Sequence, residues 1–328
     1  MDVPAAWTGQ AGHLLHEPWV PPWFGDGVAV LITELEAAGP PGLGDRRTAF
    51  RQQGQVAGSG VLSALQRREF GWAQLLEQRA ELLVGVQLLR AGVLRRMGKE
   101  TPDFECRWQR TEFGVEVTTR ARPEAASAVH DLLETGLQDG PDVGVTLTRT
   151  GRLLFSEDPV KTATIADEVL TRIKEMATAA AGQPLSGRIP IPELGLAAMV
   201  HDGGLVPGMR VAYESLLTQD QWDHHWKMAA LQVKDTVEKK GRKAYALPSI
   251  LVLDISRLGY AGQVPAGPWI AEFQDVLDGC DIGNLGGVLM TRSQLNSEVL
   301  EALCWRGELT RALALAVGAV LLGNQMAE

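Results

Sequence analysis

Cysteine is scarce in this chain. The three present, Cys106, Cys280 and Cys304, are far apart and form no CxxC pair. That excludes a disulfide framework, and we expect reduced thiols in a cytoplasmic protein. The opening MDVPAAWTGQ lacks the basic and apolar regions of a secretory signal. The longest apolar run, Ala312–Gly323, is too short to span a bilayer and reads as a buried helix near the end of the chain. No membrane role is expected. No fixed-period repeat, low-complexity tract, GxSxG elbow or Walker A loop occurs. GSG at 58–60 does not fit the elbow, and GCDIGNLGG at 279–287 precedes a strand-like run and so reads as a turn.

Positive charge is also short. Lys and Arg number 31 against 40 Asp and Glu, for a net charge of −9. Such a balance disfavours non-specific nucleic-acid binding. Two segments run the other way. Residues 61–122 carry eleven basic and eight acidic side chains, and residues 221–243 carry six and three. Each is net positive by three, which suits an anionic ligand or a solvated helix face.

What is present is globular: 328 residues, 45% apolar and 22% charged, enough for a sizeable core. Residues 1–60 are rich in Pro, Gly and Trp and read as an extension packed on the main domain or as a partner-binding arm, with Gly54–Gly60 a linker. Leu75, Leu76, Leu82, Leu83, Val86, Leu89 and Leu94 recur at helical spacing within 61–97. PDFECRW (102–108) and FGVEVTTR (113–120) form a hairpin pattern. Strand signals follow at 142–155 and 188–201, around a helix at 165–181. A helix over 222–243 buries Trp226, Ala229, Ala230, Val233 and Val237, and the apolar run Ser249–Ser256 reads as a central strand. GGVLMT (286–291) is another strand. The succession predicts an α/β fold with a mixed central sheet flanked by helices. The expected division is 1–60 as extension, 61–295 as the main domain with 121–220 as insert, and 296–328 as a C-terminal helix.

In GVEVTTR, Glu116, Thr118 and Arg120 share one face of the strand. A carboxylate among Val, Phe and Gly is costly to bury unless it is paired or binds a metal. Asp103, at the start of the preceding strand, comes within reach of Glu116 if the hairpin forms. Two hard oxygen ligands with open positions suit Mg²⁺ or Mn²⁺. Such a metal lowers the pKa of a water and offsets charge on a phosphate. The plainer alternative has Asp103 capping a turn and Glu116 paired with Arg107 or Arg110.

A helix with a glutamate, then Pro102-Asp103, then Glu116-Val117-Thr118, resembles the PD-(D/E)xK, restriction-endonuclease-like nuclease superfamily. The resemblance covers 77–120 well and 221–256 loosely. It implies a restriction-endonuclease-like core, a large insert and terminal extensions. It implies metal ligation by Asp103 and Glu116, joined by Glu81, with Glu77 as fallback on the first core helix. The helix at 222–243 and the strand after it resemble the second core helix and its strand. Thr118 stands where the family usually has lysine. Lys234, Arg120 and Lys174 are the candidates to supply the missing charge. The implied function is Mg²⁺-dependent cleavage of DNA, possible within a restriction or phage-defence system, with protein partners or a second copy meeting the N-terminal region. Without a lysine at the carboxylates, the alternative is a catalytically silent subunit that binds nucleic acid or partners. A third reading is an unrelated α/β enzyme or ligand-binding protein using a pocket near Gly203 or Gly286, which requires Asp103 and Glu116 to lie apart.

Other residues admit a bland explanation. Asp223-His224-His225 fits a helix-capping aspartate with exposed histidines better than a transition-metal site, as does the turn at His201-Asp202. Trp108, Trp222 and Trp226 suit core packing better than stacking on bases.

Overall fold

The computed structural model describes residues 7, 10–55, 64–120, 125–150, 154–156, 158–180, 182–203, 209–213, 217–262 and 264–322. Most of the Gly54–Gly60 stretch and Gly204 lie outside them. The chain divides into two compact units. One comprises residues 1–60, 71–121 and 226–328, and the other 61–70 and 122–225.

The first unit is built on a seven-stranded mixed sheet. Its strands are β1 (Leu94–Met97), β2 (Phe104–Trp108), β3 (Thr111–Thr119), β8 (Ser249–Asp254), β9 (Leu285–Arg292), β10 (Glu301–Arg306) and β11 (Val320–Leu321), in that spatial order. β1, β2 and β3 form an antiparallel meander, and β8 runs parallel to β3 on one side and to β9 on the other. Every residue of β8 is buried, as its unbroken apolar run requires of a middle strand.

The helices α1 (Gln10–Leu14), α2 (Pro22–Ala38) and α3 (Leu43–Gln55) precede the sheet. In α2, Phe24, Val28, Leu31, Ile32 and Leu35 recur at helical spacing, and all are buried. They share one apolar core with Leu83 and Val86 of α4 (Ala64–Arg90) and with Phe104, Val115 and Val252 of the sheet. The N-terminal region is thus part of this core. Of its tryptophans, Trp7 packs on Phe50 and Trp19 meets Trp72 edge-on, while Trp23 is exposed. α7 (Gln219–Gly241) buries Trp226, Ala229, Ala230, Val233 and Val237, as its periodicity requires. Trp226 stacks on Trp269 of α8 (Trp269–Gly279), and Trp108 packs half-buried against the core.

Two boundaries differ from the sequence reading. The helix expected over 61–97 ends at Arg90, and Leu94 lies in β1, because the chain reverses after Arg90 and its Val93 carbonyl accepts from the Arg107 N–H. The C-terminal region is not one helix. α9 (Glu308–Ala316) stops before Gly318, and β11 pairs with β10 in parallel. Ordered apolar runs of that length serve either element, and here the free edge of β10 takes the second half of the run.

The second unit carries β5 (Ser186–Ile191), β6 (Leu196–Asp202), β4 (Val143–Arg149) and β7 (Val211–Tyr213) in that order across a four-stranded sheet. Val143, Val145, Leu147, Leu196, Ala198 and Val200 alternate onto one core with α5 (Ala125–Leu137) and α6 (Pro159–Ala180). Most of the segment read as an insert, 121–220, falls in this unit. Among the described residues, no helix is long and apolar enough to cross a membrane.

Candidate functional site

The hairpin places the first carboxylate. Gly98 donates its N–H to the Asp103 carbonyl at 2.7 Å, and a Cβ there would stand 2.0 Å from the Pro102 oxygen. Only glycine allows that approach. Phe104 pairs with Val115 across the β2–β3 ladder, so Asp103 arrives beside Glu116. Its Oδ2 accepts the Val117 N–H at 2.6 Å. Asp103 is 6% exposed and Glu116 is 3% exposed.

Both carboxylates line a cavity of about 450 Å³. α4 contributes Glu77 and Glu81, α3 contributes Arg46, and the β1–β2 turn contributes Lys99 and Glu100. β3 adds Thr118, the end of α7 adds Lys240, and the turn after it adds Lys243. Asp103 and Glu116 therefore do not lie apart, and Glu116 is paired with lysines where the plainer alternative assigned Arg107 or Arg110. Arg107 instead donates to the Gln109 carbonyl.

The Glu116 Oε1 accepts from Lys240 Nζ at 2.8 Å and from Lys243 Nζ at 3.0 Å. The turn that carries these lysines is tied down. Asn284 donates its N–H to the Gly241 carbonyl and its side-chain amide to the Lys243 carbonyl. Gly241 and Gly283 touch so closely that a Cβ on either would meet backbone at 2.5 Å or less. The Tyr245 hydroxyl donates to the Lys240 carbonyl at 3.1 Å.

Arg46 occupies the other side. The guanidinium is 2% exposed and donates from Nη2 to both Glu81 and Asp103, the latter at 2.8 Å. Nη1 reaches the Lys99 carbonyl at 3.3 Å, and the group stands 4.9 Å over the Phe50 ring. Three buried polar atoms of the cavity lining have no hydrogen-bond partner among the described residues: Glu116 Oε2, Arg46 Nε and Thr119 Oγ1. Leaving such atoms unmatched is costly, so they mark a place for a ligand or water.

Burial pushes the Asp103 carboxyl above the usual aspartate range, and the Glu116 charge adds to this. Arg46 and the Val117 N–H oppose it. Glu77, though open to the cavity water, is raised by the surrounding protein, with Lys240 opposing. The Tyr245 phenol is raised by burial and by the two carboxylates.

The sequence candidates for the missing charge fare differently. Lys234 is 43% exposed, pairs with Glu238 at 3.8 Å on its own helix, and does not line the cavity. Arg120 donates to the Thr236 hydroxyl. Lys174 is exposed on α6 of the other unit. Thr118 does line the cavity. Lys240 was missed although the periodicity carried it. Val233, Val237 and Lys240 fall at i, i+4 and i+7 on the buried face, whereas Lys234 stands one position off it. Arg46 had no comparable signal.

The histidine reading also changes. Thr218 caps α7, accepting the Gln221 N–H while its own N–H donates to the Gln221 side chain. Asp223 lies inside the helix. His225 is fully buried, stacked on Phe155.

The donor set fits a hard divalent cation in kind, being all oxygen, with one oxygen of Glu116 unmatched. No ready group of three His, Cys, Asp or Glu side chains is found among the described residues. Arg46 holds one oxygen each of Glu81 and Asp103, the Val117 N–H holds the other Asp103 oxygen, and the two lysines hold Glu116 Oε1. Comparison of the chain with protein-family models, with curated proteins and with solved structures finds no match.

Proposed function

We propose that the chain is a metal-dependent nuclease acting on DNA, with a restriction-endonuclease-like core. One observation carries this reading: two lysine ammoniums contact the buried Glu116 carboxylate beside Asp103 in an open cavity. The order α4, the β1–β3 meander, α7 and then β8 parallel to β3 supports it, since it follows the first core helix, motif hairpin, second core helix and strand of the resemblance.

Asp103 and Glu116 would hold Mg²⁺ or Mn²⁺, assisted by Glu81. When bound, such a cation supplies Lewis acidity toward a water and the scissile phosphate. Lys240, the less exposed of the two lysines, is suited to orient the attacking water and offset charge on the phosphate, which Thr118 cannot do. Lys243 and Lys99 supply further positive charge at the mouth. The balance of the lining is four cations against five carboxylates, so a metal is needed before a polyanion is attracted.

Arg46 favours a second reading. A guanidinium bridging Glu81 and Asp103 suits a silent subunit that uses the fold to bind nucleic acid or a partner protein.

Cleavage of plasmid and single-stranded DNA with Mg²⁺ or Mn²⁺ separates the two. Activity that requires the metal and disappears in Asp103→Ala and Glu116→Ala is the expected result. Metal binding without cleavage of either DNA would favour the silent subunit. Unchanged metal affinity in both variants would remove the site.

A further inference from the structure

The cation already inside the cavity is the feature that the nuclease reading does not use. Arg46 comes from α3, in the N-terminal region, and its partners Glu81 and Asp103 are 35 and 57 residues away. The segment just before this helix is tied to the sheet edge, since the Met97 N–H donates to the Pro41 carbonyl at 2.8 Å.

One nitrogen, Nη2, serves both Glu81 and Asp103. The other Asp103 oxygen is taken by the Val117 N–H, and Glu116 Oε1 is taken by the two lysines. Among the described residues, the buried Glu116 Oε2 is left without a partner. A divalent cation held by Asp103 and Glu116 would meet the Arg46 guanidinium at the Asp103 carboxylate, where Oδ1 is already occupied. Two positive charges cannot share that oxygen in a poorly solvated cavity, because their repulsion is weakly screened there. Arg46 at Asp103 and a metal at Asp103 thus oppose one another.

We propose that Arg46 is a built-in competitor for the metal position: in the free protein it neutralises Glu81 and Asp103, and a divalent cation binds only as the guanidinium withdraws. This rests on the metal-site reading above and adds its regulation. The apparent metal affinity is lowered by the fraction of molecules in which Arg46 is withdrawn. The orphaned Arg46 Nε and the contact with Phe50 are consistent with a side chain whose pairing is incomplete in the seated position. Withdrawal would also release a guanidinium suited to a phosphodiester, so nucleic acid and metal would each favour the state that admits the other.

The test measures Mn²⁺ binding to the full chain by calorimetry and by the spectrum of free Mn²⁺, with no activity readout. Arg46→Gln is expected to tighten Mn²⁺ binding at least about tenfold, equivalent to about 1.4 kcal/mol. Its thermal midpoint in chelator should be lower than that of the wild type and should recover with Mn²⁺. Arg46→Lys, which keeps the charge but not the fork, should tighten binding less and in the same direction, and it answers the question if the glutamine variant does not fold. Unchanged or weaker Mn²⁺ binding in these variants, with the wild type binding normally, overturns the competitor and leaves the metal site standing. Absence of Mn²⁺ binding in the wild type and in both variants overturns the metal site and this inference together.

Discussion

In the first unit, Arg46, Glu81, Asp103, Glu116 and Lys240 meet in one cavity, mostly out of water. In the second unit, α5, α6 and the four-stranded sheet enclose a cluster of apolar side chains. Charged groups there support the backbone or pair at the surface. Glu134 accepts the backbone N–H groups of Arg210 and Val211, and Asp142 pairs with Arg210 while largely exposed. Its buried titratable group, His225, is held uncharged, with burial lowering its pKa to about 4. Similar sheet-and-helix layers thus treat charge in opposite ways. Burying ion pairs carries a desolvation cost that apolar side chains of like volume would avoid. A unit that retains five such groups around a cavity is where chemistry is to be sought.

The largest expected effects lie in the first unit. Glu116→Ala should abolish metal-dependent cleavage and strand two lysines without their acceptor. Lys240→Ala should lower kcat about a hundredfold or more, as loss of a charge-stabilising donor does, with a smaller effect on DNA binding. Single-turnover cleavage checks both. A Lys240→Ala variant that cleaves normally would transfer the role to Lys243 or show that Lys240 does not supply the charge missing at Thr118. Metal binding should also weaken on acidification. The carboxylate form of Asp103 is needed for ligation, and its pKa is raised. Mn²⁺ affinity should therefore begin to fall at a pH above the ordinary aspartate value of about 3.9.

A core truncation probes the other side of the comparison. Leu147 is 1% exposed in β4 of the second unit. Leu147→Ala should cost about 2–5 kcal/mol, read by urea denaturation. The same variant should bind Mn²⁺ as the wild type does. A parallel loss of metal affinity would mean that the charged cavity depends on the second unit's core.

How much of this was legible follows from where each signal sits. Asp103 and Glu116 could be read because a carboxylate in an apolar strand is locally anomalous, and the hairpin joining them is short. β8 could be read because a middle strand is apolar on both faces. Lys240 was legible in principle, since helical period alone places it on the face of Val233 and Val237. Arg46 was not. Nothing in GDRRTAF separates Arg46 from Arg47, which pairs with Glu36 at 3.0 Å and is only partly buried. The difference is made by tertiary packing against partners far along the chain. The Pro, Gly and Trp content of 1–60 likewise disguised α2, whose apolar spacing was nonetheless regular.

pH should separate the units by sign. His225 has its folded pKa lowered from 6.5 to about 4, so the unfolded chain binds more protons between those values. Its contribution to stability is complete above about 6.5 and is lost as pH falls toward 4, amounting to about 3 kcal/mol at most. Asp254 in the first unit behaves oppositely. Burial raises its pKa, against hydrogen bonds from Ser256, so the folded state holds the extra proton and stability from this group falls as pH rises through its folded value. Urea midpoints across this range should show a shallower acid loss in His225→Phe and a steeper one in Asp254→Asn. Identical profiles in all three proteins would remove both assignments.

The smallest effect discriminates most sharply along a single helix. Lys234 and Lys240 both belong to α7, six residues apart, yet only Lys240 turns its ammonium to Glu116. Lys234 pairs with Glu238 in partial exposure, an arrangement that contributes at most about 0.5 kcal/mol. Lys234→Ala should therefore leave cleavage within about twofold and the urea midpoint nearly unmoved. The contrast with Lys240→Ala tests whether the side chain matters through its position on the buried face rather than through net charge, which both variants lower by one. Equal losses in the two would mean that α7 serves as a basic surface for the polyanion, with no particular ammonium acting at the carboxylates.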